Sequence, residues 1–228
     1  MKYAKLSSLI ILLFSLQLFS VYSQSKALQL VSTLIFGVTL AIAFINYTRL
    51  KGRFHKRMFA GILFSTAAST LLLLKGDIDS NRLIYASVPM LLCHICYTSA
   101  FYLDFKSAPE LDKKGARIAI ITVFLGCLSC YFYFRPHLGS SRVPFLAYLI
   151  TISFMMMMAS FRNLRVNKQS FTLILMGSTL FLLSDVMTTS YLFLNQSIET
   201  RLLSTATFMA AQYLIVLGGI ERQLIHKD

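Results

Sequence analysis

Charge is scarce in this chain. Asp, Glu, Lys and Arg make up 14% of its 228 residues, where a soluble domain carries about a quarter. Length alone allows one or two soluble domains. Long polar stretches are missing, however, and nothing between the apolar runs is long enough to build a core of its own. Acidic residues are the scarcest, nine against 22 Lys and Arg, for a net charge of +13. That excess does not point to nucleic acid. The basic residues fall in short gaps between apolar runs, not in a stripe across a soluble fold. No Walker, Rossmann, H-E-x-x-H or G-x-S-x-G pattern is present. All four cysteines lie inside apolar runs, which leaves no extracellular disulfide framework.

What remains is apolar: 56% of residues are hydrophobic and the mean hydropathy is +0.66. A hydrocarbon core of about 30 Å takes roughly 20 helical residues to cross. The runs predict spans near 5–22, 27–48, 58–74, 83–103, 117–134, 143–161, 170–194 and 201–220. An unpaired backbone group in lipid costs several kcal/mol, so helices are required, and the runs are too long for barrel strands. The expected fold is an all-α, polytopic transmembrane bundle of about eight spans, a single integral membrane domain over 1–228. The first run is similar to a signal peptide, with Lys2 and Lys5 ahead of it and Ser20-Val21-Tyr22-Ser23 behind. It is long for that role and its cleavage site is poor, so it reads as a retained span. Sixteen Lys and Arg fall on the side of the two termini and six on the other. That bias places both termini in the cytoplasm, and in the cytoplasmic membrane if the source is bacterial. The longest loop, near 104–116, reads as a polar turn around Pro109. No loop houses a soluble active site, so any chemistry belongs among the helices.

Ionisable residues inside a membrane are costly and mark functional candidates. His94 in the fourth span and Asp185 in the seventh are the two deep ones, joined by the amide of Gln212 in the eighth. A rise of ~1.5 Å per residue sets all three near the midplane or its outer half, consistent with one pocket. The plainer reading is that each hydrogen-bonds across a helix interface. Cys93-His94-Ile95-Cys96 and Cys127-Leu128-Ser129-Cys130 are two C-x-x-C pairs. Thiolates at such spacing bind zinc or iron, but neutral Cys is a good small packing residue in apolar surroundings. The reading is packing, with no metal and no cofactor. Met155 to Met158 point all round a helix and also read as packing. Spans three and four can be laid over seven and eight as a faint parallel 4+4 repeat, whose interface is a common place for a site.

Several segments, in order and span by span, resemble the YhhN-like family of eight-span proteins, which includes the lysoplasmalogenases. Lys26-Ala27-Leu28 is similar to the family's K-P-L at the start of the second span. Phe64-Ser65-Thr66-Ala67-Ala68-Ser69 is similar to F-S-L-L-G-D, and Cys93-His94-Ile95-Cys96-Tyr97 with Ala100-Phe101 to A-H-x-x-Y…A-F. Phe181-Leu182-Leu183-Ser184-Asp185 is similar to F-x-x-S-D, and Thr207-Phe208-Met209-Ala210-Ala211-Gln212 to T-Y-Y-x-A-Q. The resemblance implies hydrolysis of the vinyl ether of a lysoplasmalogen to a fatty aldehyde and a glycerophospho-alcohol. Such a bond is cleaved by protonating its β-carbon, after which water attacks the oxocarbenium ion. A carboxylic acid must supply the proton, and burial favours the neutral form of a carboxyl. On this resemblance Asp185 is the general acid. His94 and Gln212 orient water or the polar head, and Lys26 sits near the phosphate at the outer end. The sequence departs from the family pattern at Ser69, which stands where a first carboxylate is expected. Asp77 is the only local substitute, at the cost of a shifted register. The expected partner is a membrane lipid of lysophospholipid type. The alternative is a membrane protein that binds or moves lipid without cleaving it; a metal or redox protein using the cysteines is a third reading.

Overall fold

The computed structural model describes residues 4–74, 80–109 and 112–225. Lys2, Lys75, Asp77 and Lys227 lie outside them. Eight α-helices follow one another: α1 (Ala4–Tyr22), α2 (Lys26–Thr48), α3 (Gly52–Leu74), α4 (Ser80–Phe105), α5 (Lys113–Phe134), α6 (Arg142–Ser160), α7 (Lys168–Phe193) and α8 (Ile198–Ile220). Seven of them, α2 to α8, are long and apolar enough to cross a membrane, and α1 carries a shorter apolar stretch, Leu6–Tyr22. The chain is therefore an all-α polytopic membrane bundle.

Helix ends follow local chemistry. Ser25, Asp112 and Ser197 accept hydrogen bonds from the amides of Leu28, Gly115 and Thr200, capping α2, α5 and α8. The α2–α3 turn is closed by Arg49, Leu50 and Gly52 at positive φ, and Gly52 takes φ +83° without the steric cost a side chain brings. Within the spans, most Ser and Thr hydroxyls bond a carbonyl one turn back on their own helix, as Thr48 does to Phe44 and Ser69 to Ser65. Hydroxyls tethered in this way add little polarity toward lipid.

The helices are held together by close approach and by polar contacts. α7 and α8 form the tightest pair, followed by α3 and α4, the same hairpins that the faint repeat would relate. Along α7 and α8 two glycines alternate. A Cβ on Gly177 meets Ile215 Cγ1 at 2.7 Å, and one on Gly218 meets Ile174 Cγ1 at 2.7 Å. Small residues at such positions let two backbones approach, the main attraction available to helices in lipid. Hydrogen bonds run beside them: Ser170 Oγ donates to Gly218 O (2.6 Å) and Ser184 Oγ to Ser204 O (3.0 Å). α1 is an integral part of the bundle. Its Gln17 bonds Thr33 and Ser32 of α2, and Ser7 meets Tyr213 of α8 at 2.8 Å.

One end of the bundle, with the α4–α5 and α6–α7 connections and the chain's C-terminal segment, is knotted by charge. Here the structure corrects the sequence reading. The sequence pattern puts Asp104 at the start of a polar loop and leaves only His94 and Asp185 as deep ionisable residues. Asp104 instead lies in the last turn of α4, fully buried, and Arg162 is fully buried beside it. Asp104 accepts from Arg162 Nε at 2.8 Å and from Arg222 Nε at 2.6 Å. Arg162 also donates to Ser170 Oγ at 2.8 Å and lies 5.4 Å from the Phe101 ring. Nearby, Gly115 and Asn163 hold the Asp112 carboxyl below its ordinary range by donating to it. The C-terminal segment is pinned through the Val166–Leu224 bridge and the bond from Asn167 N to Gln223 O.

Two outcomes follow for purified protein in detergent. Asp104→Ala leaves two guanidinium groups without their shared carboxylate and should cost about 3–5 kcal/mol of stability, read as a fall of many degrees in thermal unfolding. Gly218→Leu forces α7 and α8 apart and should cost about 1–3 kcal/mol, while Gly126→Leu, which meets nothing within 4 Å, should cost far less.

Candidate functional site

The opposite end of the bundle is hollow. A cavity of about 370 Å³ sits between the ends of α2, α3, α4, α6, α7 and α8. Its lining is mixed: α2 and α8 contribute Lys26, Gln29, Thr33, Arg201 and Thr205 beside Phe36, Phe208 and Met209, while α3, α4 and α6 contribute Leu72, Leu73, Met90, Pro144 and Phe145 beside polar groups. Asp185 lines the cavity from α7, with Ser69 from α3 and Tyr148 from α6.

Asp185 reaches this position because α7 runs one unbroken helix past it. The preceding turn is fixed to α8 by Ser184, and the following turn by Thr188, whose hydroxyl meets Ser204 Oγ at 2.6 Å. Its carboxyl is 11% exposed and stands 3.7 Å, Oδ2 to Nε2, from the fully buried His94. That separation is a contact and not a hydrogen bond. Among the described residues, neither His94 nitrogen nor Asp185 Oδ2 has a hydrogen-bond partner. The His94 ring is instead wedged edge-on between Tyr148 (5.1 Å) and Phe181 (5.0 Å). A buried polar atom without a partner costs about 1–3 kcal/mol. Of the two groups, only Asp185 lines the cavity.

The five residues singled out from sequence are distributed as follows. Asp185, Ser69 and Lys26 line the cavity, with Lys26 at its exposed rim. His94 is walled off behind Asp185. Gln212 is separate from the main cavity: its Oε1 accepts from Tyr97 at 2.9 Å, while its Nε2 is buried and unpartnered. It faces a narrow annex of about 10 Å³ shared with Ser65, Thr66 and Ser69, near the smallest volume that takes one water. Ser69 lines both spaces.

Sequence reasoning did not single out Tyr148, Gln29 or Arg201. Tyr148 is one of eleven tyrosines in the chain, and Gln29 and Arg201 meet across 172 positions of chain. The cysteines are all unpaired. Among the described residues no three His, Cys, Asp or Glu side chains gather closely enough to hold a metal ion.

The profile of the YhhN family matches residues 9–219. The chain belongs to the YhhN family. No curated protein and no solved structure gives a significant match. For this YhhN family member the matched region takes in most of the bundle and every residue of the cavity named above.

The unpartnered Oδ2 separates a ligand site from interhelical glue by its effect on stability. Asp185→Leu removes a buried oxygen that no group among the described residues satisfies. It should leave thermal stability unchanged or raise it by about 1–2 kcal/mol. A fall comparable to that of Asp104→Ala would assign Asp185 to the scaffold.

Proposed function

We propose that this YhhN family member is a membrane hydrolase that cleaves the vinyl ether of a lysoplasmalogen-like lysolipid. One observation carries the reading: Asp185, whose Oδ2 is turned inward to the buried His94 without a hydrogen-bond partner among the described residues, lines a large cavity deep among the helices. A lysolipid has one polar and one apolar end, which suits a lining that carries both cationic and amide groups, Lys26, Gln29 and Arg201, and apolar ones, Leu72, Met90 and Phe145.

In the proposed reaction Asp185 donates its proton to the β-carbon of the vinyl ether. The electron pair of the carbon–carbon bond takes up that proton, and the ether oxygen shares the positive charge left on its neighbouring carbon. The aspartate just formed stabilises this oxocarbenium ion. Water adds to the same carbon and returns a proton to Asp185. The hemiacetal then collapses to a fatty aldehyde and a free glycerol hydroxyl, so the acid is regenerated without any other reagent. His94 packs against the carboxyl and fixes its direction. Ser69 and the free amide of Gln212 are suited to orient the water from the annex. The Lys and Arg bias of the sequence turns the cavity mouth toward the non-cytoplasmic face.

Purified protein incubated with an alkenyl lysophospholipid should release aldehyde above a protein-free blank. Asp185→Asn should reduce that release to the blank, because the amide has no proton to give. His94→Ala should lower it by about tenfold to a hundredfold, the range of a lost positioning contact. Ser69→Asp restores the carboxylate expected from the family pattern and should raise the rate. An active Asp185→Asn protein would overturn the mechanism, and no aldehyde from either the wild type or Ser69→Asp would overturn the activity.

A further inference from the structure

The cavity mouth holds a cation that the mechanism does not use. Arg201, in the first turns of α8, is part-buried and lines the cavity. Among the described residues no carboxylate lies within ion-pair distance of it, unlike Arg162 and Arg222 at the other end, which share Asp104. Its direction is nevertheless fixed. Nη2 donates to Gln29 Oε1 at 2.6 Å, and the guanidinium lies 5.6 Å from the Tyr191 ring. Gln29 is 1% exposed, and its own Nε2 donates to Ser20 O at 3.1 Å, which turns its oxygen toward Arg201. One N–H is thus spent on holding the group, and no other hydrogen bond from the guanidinium to the protein occurs among the described residues. A guanidinium held in a fixed plane with donors to spare is the arrangement that binds phosphate through paired hydrogen bonds. Lys26 adds a second cation on the same wall.

The placement fits a lipid and not only an anion. Ser204 is level with the α7 turns on either side of Asp185, because it bonds both Ser184 and Thr188. Arg201 is three residues nearer the mouth, ~4.5 Å along α8. A phosphate at Arg201 leaves a glycerol unit to bridge the interval and brings the ether oxygen toward Asp185.

We propose that Arg201, positioned by Gln29 and Tyr191 and assisted by Lys26, binds the phosphate of a lysophospholipid headgroup. This rests on the lysolipid reading above and not on hydrolysis, so its test uses ligands that cannot be cleaved. Binding to detergent-purified protein is measured by calorimetry for three probes: a 1-O-alkyl glycerophosphoethanolamine, the matching 1-O-alkylglycerol, and inorganic phosphate. Wild type should prefer the phospholipid over the alkylglycerol by about tenfold or more, the worth of a hydrogen bond to a charged group. Arg201→Gln should erase that preference while leaving alkylglycerol binding intact, and Arg201→Lys should keep part of it. Gln29→Glu, which sets a carboxylate against the guanidinium, should weaken the phospholipid alone; it also serves if Arg201→Gln does not fold. An undiminished preference in Arg201→Gln would overturn the assignment. So would inorganic phosphate binding as tightly as the lipid, which would make the site one for free phosphate. Aldehyde release failing in the previous assay while these preferences hold would remove the hydrolase reading and leave this one standing.

Discussion

Hydrocarbon offers no hydrogen bonds, so each polar group within the bilayer must find its partner inside the chain or go without. The molecule meets this demand almost everywhere. Hydroxyls turn back onto their own helices, Ser170 and Ser184 tie α7 to α8, and Gln17 ties α1 to α2. Against that background the few unpartnered buried atoms stand out. Both nitrogens of His94, one oxygen of Asp185 and the amide nitrogen of Gln212 are among them. They cluster on the inner surfaces of α4, α7 and α8, beside the cavity or its annex.

The two ends of the bundle divide the remaining work. At one end Asp104 gathers Arg162 and Arg222, and aromatic rings close over the cations. Cutting any partner there leaves a bare charge in a dry place, which is why such networks resist change. At the other end Lys26 and Arg201 face open space with no carboxylate among the described residues close enough to pair. A closed end anchors the helices so that the open end can keep a cavity without collapsing.

Much of this was legible in the sequence because hydropathy reports spans directly. The eight runs and the helices agree within three residues, except that α3 and α5 begin six and four residues earlier than the apolar runs, and an Asp inside an apolar run is conspicuous at position 185. Asp104 was not conspicuous. It is followed by Lys106, Ser107 and Pro109, and polar neighbours make a buried terminal turn look like a loop. The shared pocket expected for His94, Asp185 and Gln212 was also only half of what is found. Rise per residue gives depth along a helix but not which way a side chain turns, and Gln212 turns toward Tyr97. The Arg201–Gln29 contact joins helices far apart in the chain, so no local pattern carries it.

Ser69 is where sequence and structure press on each other. It lines both the cavity and the annex, at the place where the family pattern has a carboxylate. The proposed chemistry needs only one group that gives and regains a proton, and that group is Asp185. A second carboxylate contributes in another way, by lowering the energy of a cation that exists only in passing. A serine hydroxyl can direct water but carries no charge to set against that cation. On the proposed chemistry, serine at this position slows the reaction at its charged intermediate and leaves substrate binding untouched. Residue 69 takes no part in the Asp185–His94 contact, so restoring the carboxylate changes the charge of the cavity lining without removing that contact. That makes position 69 a test of how much of the rate belongs to electrostatics and how much to the proton.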